Sequence, residues 1–147
     1  MEKNHESETR LCCRHSRAHH KRLALGRETV AEQADGAVTS EDLQASYAAF
    51  NARYWNNALP VDPVIEFSED VPANDIAETG QQVDGRWNIR FNRTYVKGLR
   101  IANTVLLHEM AHVACPRHHH DEVWQAEMER LNRMGAFADV LIDRSER

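Results

Sequence analysis

Long apolar runs are missing from this 147-residue chain: no stretch approaches the roughly twenty residues that a membrane-spanning helix requires. The opening residues, MEKNHESETR, hold no apolar core of the kind a secretory leader needs. Cysteine is scarce as well. Only Cys12, Cys13 and Cys115 are present, two of them adjacent, which excludes a disulfide framework and the small stapled folds that depend on one. Nor is there a surplus of positive charge. The formal net charge of -5 gives the chain as a whole no attraction for nucleic acid or an acidic membrane. These absences predict a soluble, intracellular protein with no membrane partner, cytoplasmic or associated with the nucleoid.

What is present is ordinary in amount and uneven in placement. The 41% hydrophobic and 28% charged content suits one globular domain. Between Arg10 and Arg27 stand Arg14, Arg17, Lys21 and Arg22 with no acidic residue among them. Residues 1–38 are polar and His-rich, and are expected to form a flexible basic arm with a short helix somewhere between Arg17 and Glu32. Such an arm offers DNA phosphates a contact that the net charge does not. Cys12, Cys13, His15, His19 and His20 are metal-binding residue types, but adjacent cysteines fit tetrahedral geometry poorly.

The domain is expected over 39–147. Thr39 and Asp42 form a candidate capping pair, and Leu43, Tyr47, Phe50 and Tyr54 then recur at helical spacing until the turn-forming NNALP. Val64–Phe67 reads as a short strand, 69–85 as loop or weak strand, and Trp87, Ile89 and Phe91 alternate as a half-buried strand. An apolar helix is expected from about Ile101 to Cys115. A last one runs from Asp121 to Met134, with Trp124, Met128 and Leu131 inward and Gly135 as its stop. The order implies a small α+β domain.

Its chemistry centres on His108-Glu109-Met110-Ala111-His112, an H-E-x-x-H motif. Residues four apart share a helix face, so both imidazoles can reach one ion, and neutral imidazole suits zinc. The intervening glutamate is placed to take the proton of a water attacking a peptide carbonyl. The competing reading is an amphipathic helix with two ordinary histidines. Against it, Glu109 is the one residue charged at pH 7 (histidines counted neutral) between Val105 and Ala114, and buried polar groups among aliphatics require partners. A catalytic zinc takes a third protein ligand, and His118, His119, His120, Glu122 and Glu127 are downstream candidates.

The same residues resemble the SprT-like zinc metallopeptidase domain, the group of bacterial SprT and the Spartan DNA–protein crosslink proteases. Phe50-Asn51, Tyr54-Trp55 and Leu59-Pro60 are similar to its opening helix, and Trp87–Asn92 to the strand before its active-site helix. Leu106–His112 resembles its LLHEMxH core, and His120-Asp121-Glu122-Val123-Trp124 its H-G-x-x-F/W segment, with aspartate in the glycine's place. The resemblance covers about Ser40 to Gly135. It implies a zincin-like fold, a short sheet packed on the active-site helix, and one catalytic Zn2+ on His108, His112 and His120 with Glu109 as base. It also implies a polypeptide substrate and a connection to DNA-bound proteins. The zinc ribbon that follows in many members does not occur before Arg147. The helical register agrees on the third ligand: Trp124 faces inward, which aims His120, one turn earlier, toward the motif.

Two readings compete with an endopeptidase acting on extended or unfolded chains. One is a zinc-stabilised adaptor without turnover, for which a general base has no use. The other is a nucleic-acid module working through the basic arm. Arg93 and Tyr95 are candidate stabilisers of an oxyanion, and Cys115 is expected to pack in preference to approaching the metal. Trp87–Phe91 is expected at the sheet edge, where substrate would add a strand.

Overall fold

The computed structural model describes residues 11–14 and 37–141. Its elements are β1 (Leu11–Arg14), α1 (Ser40–Trp55), β2 (Val64–Phe67), β3 (Asp75–Gln81), β4 (Trp87–Phe91), α2 (Leu99–Ala114), α3 (Glu122–Arg133) and α4 (Ala136–Leu141). The architecture is α+β, as expected.

Helix α1 starts where the capping pair places it. Asp42 N donates to Thr39 Oγ1 at 3.1 Å and Thr39 N donates to Asp42 Oδ2 at 2.9 Å, so two orphan donors of the first turn are satisfied reciprocally. Its end is clamped by a buried amide: Asn51 Nδ2 donates to Leu59 O at 3.0 Å and Leu59 N donates to Asn51 Oδ1 at 3.1 Å. Tyr47 Oη adds a bond to Pro60 O at 2.8 Å. The Asn and Leu-Pro of the family pattern therefore form one structural device, a turn held shut against its own helix.

The sheet has the order β1-β3-β4-β2, antiparallel except for the parallel pair of β2 and β4. Strand β4 is thus paired on both sides, Ile89 opposite Thr79 of β3 and Ile65 of β2. This corrects the expected edge position, and no substrate strand can be added there. Alternation along Trp87–Phe91 reports that one face is buried, which holds equally for an edge or an interior strand. The stretch 69–85, expected as loop or weak strand, holds strand β3. DIAETGQ has few β-formers, and its buried Glu78 forms an ion pair with Arg90, opposite it on β4.

Three residues of the expected arm pair with the outer edge of β3, Leu11 opposite Thr79, Cys12 opposite Glu78 and, past a break in register, Arg14 opposite Asp75. The helix expected between Arg17 and Glu32, and His15, His19 and His20, lie outside the described residues. At the other end, Gly135 stops α3 at φ 78°, and the short α4 that follows was not foreseen.

One apolar cluster joins Leu43 and Tyr47 of α1, Ile65, Ala77, Ile89 and Phe91 of the sheet, and Leu106, Met110 and Val113 of α2. A second joins Tyr54, Leu107, Ala111, Trp124, Leu131 and Ala136. Helix α2 belongs to both and is gripped along two stripes, which fixes its rotation about its own axis. That rotation decides where the residues between the stripes point.

Candidate metal centre

His108, Glu109 and His112 lie in the second half of α2, His108 half-buried and the other two buried. The imidazoles of His108 and His112 come from successive turns, with ring centroids 5.1 Å apart. The third imidazole comes from the loop before α3. His120 Nε2 lies 3.1 Å from His112 Nε2 and 3.3 Å from His108 Nε2. A tetrahedral zinc with Zn–N near 2.05 Å separates two ligand nitrogens by about 3.3 Å. Both separations from His120 thus match the spacing one ion would impose, and the ligand nitrogens of all three residues lie within 4.8 Å of one another. Among the described residues, these three form the only group of histidine, cysteine or acidic side chains arranged to hold a metal ion.

His120 reaches the cluster through an unusual backbone. Its φ is 59°, a left-handed conformation that costs a non-glycine residue about 1 kcal/mol or more. The surroundings hold it there: Gln125 Nε2 donates to His120 O at 2.8 Å, and the next residue caps α3. Asp121 Oδ1 accepts from Val123 N at 3.1 Å and Trp124 N at 3.2 Å. This explains the departure from the family's glycine. At position 121 the chain is extended, with φ -77°, so no glycine is required and aspartate is a preferred N-cap. Trp124 completes the enclosure. Its ring stacks on His112 at 5.3 Å and 22° and meets His108 and His120 edge-on at 4.8 and 4.5 Å.

Burial sets the charge of the cluster. It pushes His108 down to about 4, with His120 adding repulsion, and His112 down to about 3, with His108 and His120 adding theirs. His120 is lowered as well, by burial first and then by His119. All three rings are therefore neutral at pH 7, the form that binds metal. The sign for stability follows. Between an unfolded value near 6.5 and the folded values, the unfolded chain binds more protons, so metal-free protein loses stability as pH falls. A thermal melting series on the zinc-free protein should be flat above pH 7 and decline from about pH 6.5 toward pH 4, and His112→Gln should shallow that decline.

The other candidates are committed elsewhere. Glu127 accepts from Trp55 Nε1 at 2.7 Å and from Arg130 at 2.9 and 2.7 Å, while His118 Nδ1 lies 2.6 Å from Asp121 Oδ2. His119 and Glu122 are exposed. Cys115 follows α2 in a cleft with Glu127 and Arg130, outside the histidine cluster, as the packing expectation had it. Tyr95 Oη donates to Ala73 O and Arg93 donates to Val38 O while covering the Phe67 ring. Both line a cavity of about 1020 Å³ that includes none of the three histidines.

One functional neighbour escaped the sequence reading. Thr79 Oγ1, on β3, lies 2.6 Å from Glu109 Oε2, and both residues are buried. No motif marks this threonine, because its partner is thirty residues away and its own strand has weak local propensity.

Three convergent imidazoles that could hold a metal ion, a buried glutamate adjacent in sequence to the first, and no fourth donor in that group among the described residues define the site. Residues 43–145, well over half of the chain, match the SprT-like family, and the protein belongs to it. No curated protein and no solved structure matches the chain. Among the described residues, no helix is long and apolar enough to cross a membrane.

Proposed function

We propose that this protein is a zincin-like zinc endopeptidase that hydrolyses extended or unfolded polypeptide. The observation that carries the reading is Glu109, a fully buried carboxylate adjacent in sequence to the first histidine of a three-histidine cluster that, among the described residues, leaves one tetrahedral position without a protein ligand. A structural site would close that position, and an adaptor would not bury an acid beside it.

Zinc bound there would polarise the scissile carbonyl and acidify the attacking water. The protein supplies the rest. His108, His112 and His120 would hold the ion as neutral donors, and Trp124 packs against all three rings and keeps them oriented. Glu109 accepts the proton of the attacking water and is then the acid that returns it to the leaving amine. Proximity of base and ion lets one site serve both halves of the reaction.

The basic segment from Arg10 to Arg27 supports a second element of the proposal, contact with DNA that brings the peptidase to DNA-associated chains. Both parts are tested with zinc-loaded protein and a denatured substrate, with and without DNA. Cleavage should occur, stop on removal of zinc by a chelator and return on its replacement. Absence of cleavage in the loaded protein under both conditions would refute the peptidase reading. Replacing Arg17, Lys21, Arg22 and Arg27 by alanine, which spares β1, should weaken DNA binding and flatten its salt dependence at unchanged zinc content. Equal DNA affinity for the unmodified and substituted proteins would exclude these basic residues from DNA contact.

A further inference from the structure

We propose that Thr79 is a positioning residue for the general base: its hydroxyl, held by the sheet, sets the Glu109 carboxylate in the orientation from which it takes the water's proton. The proposal rests on the peptidase reading above and adds to it a residue outside the H-E-x-x-H helix.

The geometry is that of a fixed donor meeting a side chain with several rotamers. Thr79 is 1% exposed, and its backbone is locked in the ladder opposite Ile89 of β4 and Leu11 of β1. A β-branched side chain has few χ1 options, so the hydroxyl inherits the rigidity of the sheet. Glu109 has three side-chain torsions and can occupy several staggered arrangements on α2 unless something selects one. The 2.6 Å separation of Thr79 Oγ1 and Glu109 Oε2 falls in the range of about 2.5–2.7 Å typical of a hydroxyl donating to an ionised carboxylate.

Packing does not account for a threonine here. Ala77, two residues earlier and on the same face of β3, is wholly buried in the apolar core. Valine would fill the neighbouring position with the same shape, and a hydroxyl in such a place is costly unless an acceptor meets it. The acceptor that meets it is the carboxylate assigned as base. In the proton transfer, a water O–H bond breaks and a carboxylate O–H bond forms, while the Thr79 hydroxyl holds Oε2 and with it the plane of the carboxylate. An anchor of this kind accelerates the step by removing misaligned arrangements, and does not contribute to holding substrate or zinc.

The test compares Thr79→Val, which keeps the shape and removes the hydroxyl, with Thr79→Ser, which keeps the hydroxyl and removes a methyl group. Zinc content, kcat and KM on an unfolded substrate, and the Glu109 rotamer in crystals of each zinc-free variant are the readouts. Thr79→Val should keep full zinc occupancy and a KM within about twofold, with kcat lower by about tenfold to a hundredfold and the carboxylate displaced. Thr79→Ser should stay within about threefold of the unmodified protein in kcat, with the carboxylate in place. A merely structural threonine gives the opposite order, because serine leaves a cavity and valine does not. Wild-type kcat in Thr79→Val, or Thr79→Ser impaired as much as Thr79→Val, would overturn the proposal. If the unmodified zinc-loaded protein cleaves nothing, the peptidase reading fails separately. The rotamer then decides the positioning claim: a carboxylate unmoved in Thr79→Val overturns it, and one displaced in Thr79→Val but not in Thr79→Ser sustains it.

Discussion

Glu109→Gln should retain zinc and fold while its hydrolysis of unfolded polypeptide falls by at least about a hundredfold, the lower end of what a lost general base costs. The substitution changes almost no volume in a fully buried position, so the two apolar stripes that grip α2 are undisturbed. Thr79 can still donate to the amide oxygen, which leaves that contact with β3 available. What disappears is the lone pair able to accept a proton. Because the loss falls on the chemical step, kcat should carry it and KM should change little. Zinc stoichiometry by mass spectrometry, a melting curve and a single-turnover assay together separate the cases. Full activity in the zinc-loaded variant would remove Glu109 from the mechanism.

The second large effect concerns His120. Losing one of three ligands should weaken zinc binding by orders of magnitude, whereas His119 is a solvated side chain and its loss should cost almost nothing. His118 pairs with Asp121 on the surface, an interaction worth about 0–1 kcal/mol, so His118→Ala should also keep its zinc. After dialysis, only the His120→Ala protein should emerge depleted. His120→Gly separates ligation from strain, since glycine occupies φ 59° without penalty and still offers no imidazole. It too should lose the metal. Depletion in His119→Ala in place of His120→Ala would shift the ligand by one residue. Retention in every variant would mean that a carboxylate completes the site.

Much of the centre could be read along the chain, and the reason is that its main features are local. Two histidines four apart share a face of any α-helix, and the residue between them that is glutamate is adjacent by covalent connection. The Thr39–Asp42 box, the NNALP turn and the stop at Gly135 are likewise decided within a few residues, so each was legible before any packing was known. His120 could be named because Trp124 set an inward register four residues away. Its left-handed backbone could not, since that conformation is held by Gln125 and the Asp121 cap once α3 has formed.

What the tertiary structure alone decided is pairing between distant segments. The alternation of Trp87, Ile89 and Phe91 marks a buried face and carries no information about lateral neighbours, so β4 was expected at an edge and lies inside the sheet. Strand β3 has weak local propensity and is stabilised by β4 and by the Glu78–Arg90 pair, neither visible in its own seven residues. Thr79 therefore had no signal of its own, although it touches the carboxylate on which the proposed chemistry depends, thirty residues further along the chain. The motif by itself determined which groups are able to bind a metal and take a proton. Where the carboxylate is held was decided by long-range packing, because a side chain with free torsions is fixed only by what it meets.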